Sequence, residues 1–298
     1  MNQTEFEKQQ NEYVEIIENA LNAQLDFEKP INYRALLDAV RYSVLGGGKR
    51  LRGMLSLAFC ALFSEENSRA IPAACAVEMF HAYTLVHDDL PCMDNDTLRR
   101  GKPSCWAKYG EAEALLAGDA LLTLAFETLS TPDSPLCKRI QLGQILALAT
   151  SGGQHGVIAG QVLDMQAEKR AVSYPELQQI HLLKTGKLIR AAVEMGALAG
   201  EASDEHMAYS LDYATHLGLQ FQIVDDLLDV IGEEDSLGKP VGSDSRNQKT
   251  TYVSLFGIEE TKQLAQKETD AALGALKKIP GDTSFLEALT LSMLHRVG

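Results

Sequence analysis

Apolar residues recur at i, i+3 and i+4 along most of this chain, and no strand-like alternation is sustained anywhere. The spacing predicts helices over Tyr33–Leu45, Leu51–Phe63, Ile71–Leu90, Glu111–Leu129, Ile140–Leu148, Leu177–Lys187, His206–Ile231 and Leu255–Leu276. Helix-start signals precede two of them: Ser134-Pro135, and Ser173 with Pro175 and Glu176 just after it. Two stretches rich in Gly, Pro, Asp and basic residues, Pro91–Tyr109 and Gly232–Lys249, read as long loops, which in a compact domain usually carry function. No internal repeat of roughly 20–50 residues and no linker is visible, so one all-α domain over residues 1–298 is expected.

Composition narrows this further. With 45% apolar residues the chain can bury a sizeable core. The N-terminus, MNQTEFEKQQNEYVEII, is polar and acidic, unlike a signal peptide, and no apolar run reaches the roughly 18 residues of a membrane span. The five cysteines are odd in number and contain no CxxC pair, as expected of free thiols in a reducing cytoplasm. A formal net charge of −14 repels nucleic acid and anionic membranes, so neither is expected as a partner. It repels an anionic small molecule too, unless local cations overturn the global field.

Two acidic clusters stand out. In HAYTLVHDDLPCMDND, Asp88 and Asp89 close a largely apolar helix; Pro91 biases Leu90 away from the α region, and the break lets Asp94 fold back toward Asp88. Carboxylate oxygens facing one space make a hard site suited to Mg²⁺. In FQIVDDLLDVIG, Asp225 and Asp229 are i, i+4 and Asp226 and Asp229 are i, i+3. A solvated helix face is the bland alternative. Phe221, Ile223, Val224, Leu227, Leu228, Val230 and Ile231 oppose it, because a helix apolar nearly all round is buried and buried carboxylates are costly without a cation.

Basic elements accompany the acids. Gly46-Gly47-Gly48-Lys49-Arg50-Leu51-Arg52 is a glycine-rich turn feeding a helix, which alone is often only a helix cap; its three cations favour a phosphate. It is not a Walker A loop, since Lys49 precedes Arg and the segment before it is helical. Arg99-Arg100-Gly101-Lys102 follows the first acid cluster, where metal and guanidinium can grip the same phosphates. Gly186 in Lys184-Thr185-Gly186-Lys187 is either a plain helix break or a kink turning Lys184 and Thr185 toward a ligand, and Lys239 and Lys249 lie on the loop after the second cluster, where they can close over an anion. There is no GxSxG, no Cys/His/Asn pairing, and His81 and His87 lack an HExxH partner. A cage of metals and cations without a nucleophile suits departure of a diphosphate.

In this order GGGKRLR, HAYTLVHDDLPCMDNDTLRRGKP, GQVLD, KTG, FQIVDDLLDV and GKPVGSD…K resemble the trans-isoprenyl diphosphate synthases over nearly the whole chain, most closely the bacterial farnesyl diphosphate synthases. The resemblance implies an isoprenoid-synthase-type helical bundle around a central cavity, a cytoplasmic homodimer, and three Mg²⁺ ions holding an allylic diphosphate. It implies ionisation of dimethylallyl or geranyl diphosphate and attack by the isopentenyl diphosphate double bond, giving (E,E)-farnesyl diphosphate. By the same resemblance Asp88, Asp94 and Asp225 ligand Mg²⁺ directly, and Asp89, Asp226, Asp229 and Asp244 act through water or behind the ligands. Lys49, Arg52, His81 and Arg100 match the isopentenyl diphosphate site. Arg99, Lys184, Thr185, Gln222 and Lys239 match the allylic site, with Lys184 and Lys239 catalytic there. Lys249 matches a lid lysine, and Gln161 and Asp164 line the cavity. Asn95 and Thr97 stand where family members often carry Asp, and Gly53 where a proline is common.

Product length is expected to depend on residues one helical turn, about 5.4 Å, before Asp88. These are Tyr83, which is large, and Thr84, which is small. An aromatic there resembles farnesyl synthases; a small residue in place of Tyr83 would resemble geranylgeranyl synthases. Plain core packing is the alternative reading of Tyr83. A geranyl or geranylgeranyl synthase, a terpene cyclase (against which GGGKRLR and Arg100 speak), a non-catalytic homologue and a bare helical scaffold are the competing functions.

Overall fold

The computed structural model describes residues 1–26, 32–168, 170–231 and 249–295. Among these residues the architecture is helical: α1 Gln3–Gln24, α2 Arg34–Leu45, α3 Leu51–Ala61, α4 Ile71–Asp88, α5 Cys105–Tyr109, α6 Glu111–Ser130, α7 Lys138–Gly152, α8 Val157–Ala167, α9 Tyr174–His181, α10 Lys187–Ala199, α11 Asp204–Ile231, α12 Tyr252–Phe256, α13 Ile258–Leu276 and α14 Ser284–Leu294. No described helix is long and apolar enough to cross a membrane.

The centre of the bundle is α4, α10 and α11. Helix α4 buries Ala73, Ala74, Val77, Met79 and Val86, on faces all round its axis, so it is enclosed by α3, α6 and α10. Helix α10 packs on α3, α7 and α11, and α11 packs along α13. Small residues set the close approaches. A Cβ at Gly196 of α10 would lie 2.3 Å from Ser56 O of α3, so these two backbones touch. A second apolar cluster, Val172, Leu177, Ile223, Val224, Leu227 and Tyr252, seats α9 and α12 on the far end of α11.

Several boundaries differ from the periodicity. Helix α4 ends at Asp88, not Leu90, with Asp89 as its cap. Helix α7 begins at Lys138, and Ser134 caps only a turn, its Oγ accepting from Leu136 N at 3.2 Å. Gly257, at φ +75°, divides the expected Leu255–Leu276 helix into α12 and α13. Helices α1, α8, α10 and α14 lie outside the predicted segments; α10 continues past Lys187 because Gly186 does not end the helix but closes a π-turn, Leu182–Gly186. The Pro91–Tyr109 stretch is an ordered turn followed by a two-residue ribbon, β1 Leu98–Arg99 against β2 Lys102–Pro103, and then α5. The Gly232–Lys249 loop, with Lys239 and Asp244, lies outside the described residues except for Lys249.

Candidate active site

The first acidic corner forms where α4 stops. The Asp94 N–H donates to Asp88 O at 2.9 Å and the Met93 N–H to Leu90 O at 2.8 Å, so the chain doubles back. Asn95 takes φ 55° to complete the turn, a conformation Asn tolerates. Burial pushes the Asp88 carboxyl up to about 6, with Asp94 and Asp89 adding to the rise against Lys184 and Arg99. Asp89 points elsewhere. It is 2% exposed and accepts from Arg99 Nε at 3.0 and 3.2 Å and from Nη2. Arg99 also reaches Asp96 at 3.4 Å. In this state Arg99 therefore sits on Asp89 rather than in the cavity beyond.

The second corner borders a cavity of about 190 Å³ lined by Asp225, Gln222, Asp226, Asp164, Lys184 and Lys249. Asp226 is anchored, its Oδ2 accepting from Tyr252 N at 2.7 Å, and Asp229 is 2% exposed. Asp164 gathers two lysines: Lys184 Nζ donates to its Oδ2 at 2.7 Å and Lys249 Nζ at 3.2 Å. Burial pushes Asp164 up, but the two ammonium groups outweigh it and leave the carboxyl below its ordinary value. His181, on the same wall, is driven by burial and then by Lys184 and Lys249 down to about 4, against the pull of Asp164, so it is neutral at pH 7.

The π-turn places Lys184 there. Its extra residue per turn shifts the register between α9 and α10, and glycines clamp it from two sides. A Cβ at Gly160 of α8 would lie 2.2 Å from Lys184 N, and one at Gly218 of α11 would lie 2.9 Å from Gly186 Cα.

The basic turn builds a larger cavity, about 850 Å³, lined by Gly48, Lys49, Arg52, His81, Arg100 and Phe221. Gly48, at φ +140°, lies against the Arg100 guanidinium; a Cβ there would be 2.6 Å from Nη1. Arg100 itself is turned in by φ 54° at the ribbon's tip. Burial and the neighbouring Arg52 and Arg100 hold His81 well below its ordinary value, so it is a neutral hydrogen-bonding group. Arg52 Nε is buried with no partner among the described residues, as a group awaiting an anion would be.

Arg50 corrects one expectation. Counted with Lys49 and Arg52 as favouring phosphate, it serves the fold instead: 4% exposed, it donates from Nε to Glu18 Oε1 at 2.6 Å, from Nη2 to Val44 O at 2.7 Å and from Nη1 to Glu78 Oε2 at 3.4 Å. Glu78 also accepts from Gly53 N at 2.9 Å, a bond that a proline at position 53 cannot make.

A third cavity, about 580 Å³ and mostly apolar, joins these. It is lined by Tyr83, Thr84, Asp88, Gln161, Thr185 and Val162, with Arg52 and His81 shared with the 850 Å³ cavity and Lys184 shared with the 190 Å³ one. Lys49, Arg52, His81, Arg100, Lys184, Lys249, Asp88, Asp225, Tyr83 and Thr84 thus line cavities that adjoin through shared walls, whereas Asp94 lines none of the three and Arg99 lines a separate cleft with Asp89. Gln161 lines its apolar part; Asp164 belongs to the lysine end. Among the described residues no three acidic, His or Cys side chains close around a point. A divalent ion held by Asp88 and Asp94, or by Asp225, must complete its shell with water or anion oxygens, the manner of binding that Mg²⁺ adopts. Sequence reasoning missed His181, and missed Asp164 as the partner of both lysines; neither carries a local signal, since Lys249 is 85 residues away from Asp164.

Residues 33–284 match the family model described as polyprenyl synthetase. The chain is 44% identical over 272 residues to the farnesyl diphosphate synthase of Escherichia coli, covering 90% of this chain and 91% of that one. It is 44% identical over 253 residues to the geranylgeranyl diphosphate synthase of Cyanophora paradoxa, covering 85% and 83%. The solved Helicobacter pylori geranyltransferase, complexed with magnesium and isoprenyl diphosphate, superposes with a TM-score of 0.81 at 34% identity over 96% of both chains.

Proposed function

Since the chain belongs to the polyprenyl synthetase family of prenyltransferases, we propose that it condenses isopentenyl diphosphate with dimethylallyl and then geranyl diphosphate to give (E,E)-farnesyl diphosphate. The observation that carries this reading is the sharing of walls: Arg52 and His81 bound both the basic cavity and the apolar one, and Lys184 bounds both the apolar and the acidic one. Two anionic substrates can therefore meet tail to head with their diphosphates on opposite cation sets.

In this reading Lys184, Thr185, Gln222, Lys239 and Arg99 hold the allylic diphosphate, and Lys49, Arg52, His81 and Arg100 hold the isopentenyl one. Asp88, Asp94 and Asp225 would hold three Mg²⁺ ions, which supply positive charge where the diphosphate departs. The allylic C–O bond breaks with its electron pair going to the diphosphate, the isopentenyl double bond forms the new C–C bond, and a proton passes to the departed diphosphate. Lys184 and Lys239 stabilise charge on that leaving group. Arg99 must turn from its pairing with Asp89 to reach that diphosphate, and Asp226, tied to Tyr252 N, and Asp229 support Asp225 from behind. The apolar cavity keeps water from the cation.

Tyr83, lining that cavity one turn before Asp88, favours a C15 stop; the geranylgeranyl relatives make C20 the second reading. Exposed apolar residues on α6 and α7, Leu116, Leu142 and Leu146, each more than half exposed, support a homodimer, and five free thiols support a cytoplasmic location.

The test is incubation with Mg²⁺, labelled isopentenyl diphosphate and dimethylallyl or geranyl diphosphate, followed by product sizing. C15 is expected from both primers. No incorporation rejects a synthase, predominant C20 rejects the farnesyl product, and turnover unaffected by chelator rejects the metal assignment.

A further inference from the structure

Resting on the proposal that Tyr83 limits product length, we infer that His87 is a positioning residue which holds Tyr83 across the cavity, so that the length stop is a three-ring unit rather than one side chain.

Phe80, Tyr83 and His87 form one stripe of α4. The Phe80 and Tyr83 centroids are 5.0 Å apart with planes at 86°; those of Tyr83 and His87 are 5.2 Å apart at 83°. Both contacts are edge-to-face, the favourable arrangement of a ring pair. The end rings are each seated in a notch on a neighbouring helix. A Cβ at Gly152 of α7 would lie 2.1 Å from Phe80 Cζ, and a Cβ at Gly118 of α6 would lie 2.1 Å from His87 Nε2. His87 Nε2 is also 3.0 Å from Leu115 O of α6. A carbonyl only accepts, so Nε2 carries the proton and the imidazole plane is fixed.

Tyr83 has no such seat of its own; rings hold it from both sides. Helical side chains lean toward the N-terminus, so Phe80 blocks Tyr83 from swinging that way and His87 blocks the return swing toward Asp88. His87 lines the same cavity. Truncating His87 frees space on the substrate side of Tyr83, and the phenol can turn up into it, clearing the path beyond.

The experiment is product sizing for His87→Ala, His87→Phe, Tyr83→Ala and the double variant. Losing one ring contact and one hydrogen bond should raise the C20:C15 ratio of His87→Ala by about tenfold. His87→Phe keeps a ring edge against Tyr83 and retains the parent ratio. The double variant gives products no longer than Tyr83→Ala alone, because His87 acts through Tyr83. The ratio is taken within the total labelled product, so weaker folding, which lowers yield, does not move it. The inference is overturned if Tyr83→Ala lengthens the product while His87→Ala leaves the ratio unchanged, or if the double variant exceeds Tyr83→Ala. If Tyr83→Ala leaves C15 unchanged, the length reading of Tyr83 falls and this one with it.

Discussion

Asp88→Asn should make the protein more stable while removing its activity. The Asp88 carboxyl titrates at about 6, against an ordinary value of 3.8. Between those two values the folded chain keeps a proton that the unfolded chain has released, so stability declines as pH rises through that window and stays at its lower plateau above it. At about 1.4 kcal/mol per tenfold change in proton affinity, the charged form costs the metal-free fold about 3 kcal/mol at pH 7.5. An amide of the same shape has no such charge. In chelator at pH 7.5 the variant should therefore melt about 6 °C above the parent. At pH 3.5, where the parent carboxyl is protonated in the folded state and mostly protonated in the unfolded one, the advantage should nearly disappear. With Mg²⁺ and inorganic pyrophosphate the order should reverse, because ligands that bind only the folded parent stabilise it by mass action. Turnover should fall by about a thousandfold, several kcal/mol of lost charge stabilisation. Thermal melts across pH, with and without the two ligands, read all of this. A variant that melts at or below the parent at pH 7.5 in chelator, or whose advantage is the same at pH 3.5, refutes the reasoning.

Three further substitutions separate fold from site. Arg50→Leu leaves buried Glu78 without its guanidinium and should cost about 3–5 kcal/mol in denaturant melts, whereas Arg52→Leu should keep the fold and raise the KM for isopentenyl diphosphate; equal melts for the two would contradict the assignment. Gly48→Ala puts a Cβ 2.6 Å from Arg100 Nη1 at φ +140°, and should raise the isopentenyl KM about tenfold while leaving the allylic KM in place; steady-state kinetics with each substrate varied decide it. Gly160→Ala forces the backbone at Lys184 to move, and a displacement near 1 Å should lower kcat by about a hundredfold, which a variant with parent kcat would disprove.

The legible parts of the site were those written in contiguous residues. Pro91 two places after Asp89 was enough to foresee that α4 stops and that Asp94 returns to it, and the Asp94 N–H to Asp88 O bond bears that out. The apolar flanks of Asp226 and Asp229 foretold their burial, but Val230 and Ile231, counted among those flanks, are exposed and Asp225 is only half-buried. Gly186 is ambiguous in sequence, where a glycine inside a helical pattern reads equally as a break. The missed helices have physical reasons too: α1 presents only a narrow apolar stripe, Phe6, Tyr13, Ile17 and Leu21, amid polar residues, and α8 leaves Ile158, Val162 and Met165 exposed.

By itself, then, the sequence determined the helical class, the two acidic corners and the cations needed to hold an anion on a chain of charge −14, because helical period, chain breaks and charge are properties of short segments. The tertiary structure alone decided which cation does what. Arg50 and Arg52 are two residues apart and chemically alike, yet Glu18, 32 positions away, captures one, while the other lines two adjoining cavities. Likewise Tyr83 is held between two rings only because Gly118 and Gly152, on two other helices, leave room for those rings. Such outcomes depend on which distant helix arrives and how closely, and an ion pair or a ring contact exists only at the distance that packing sets.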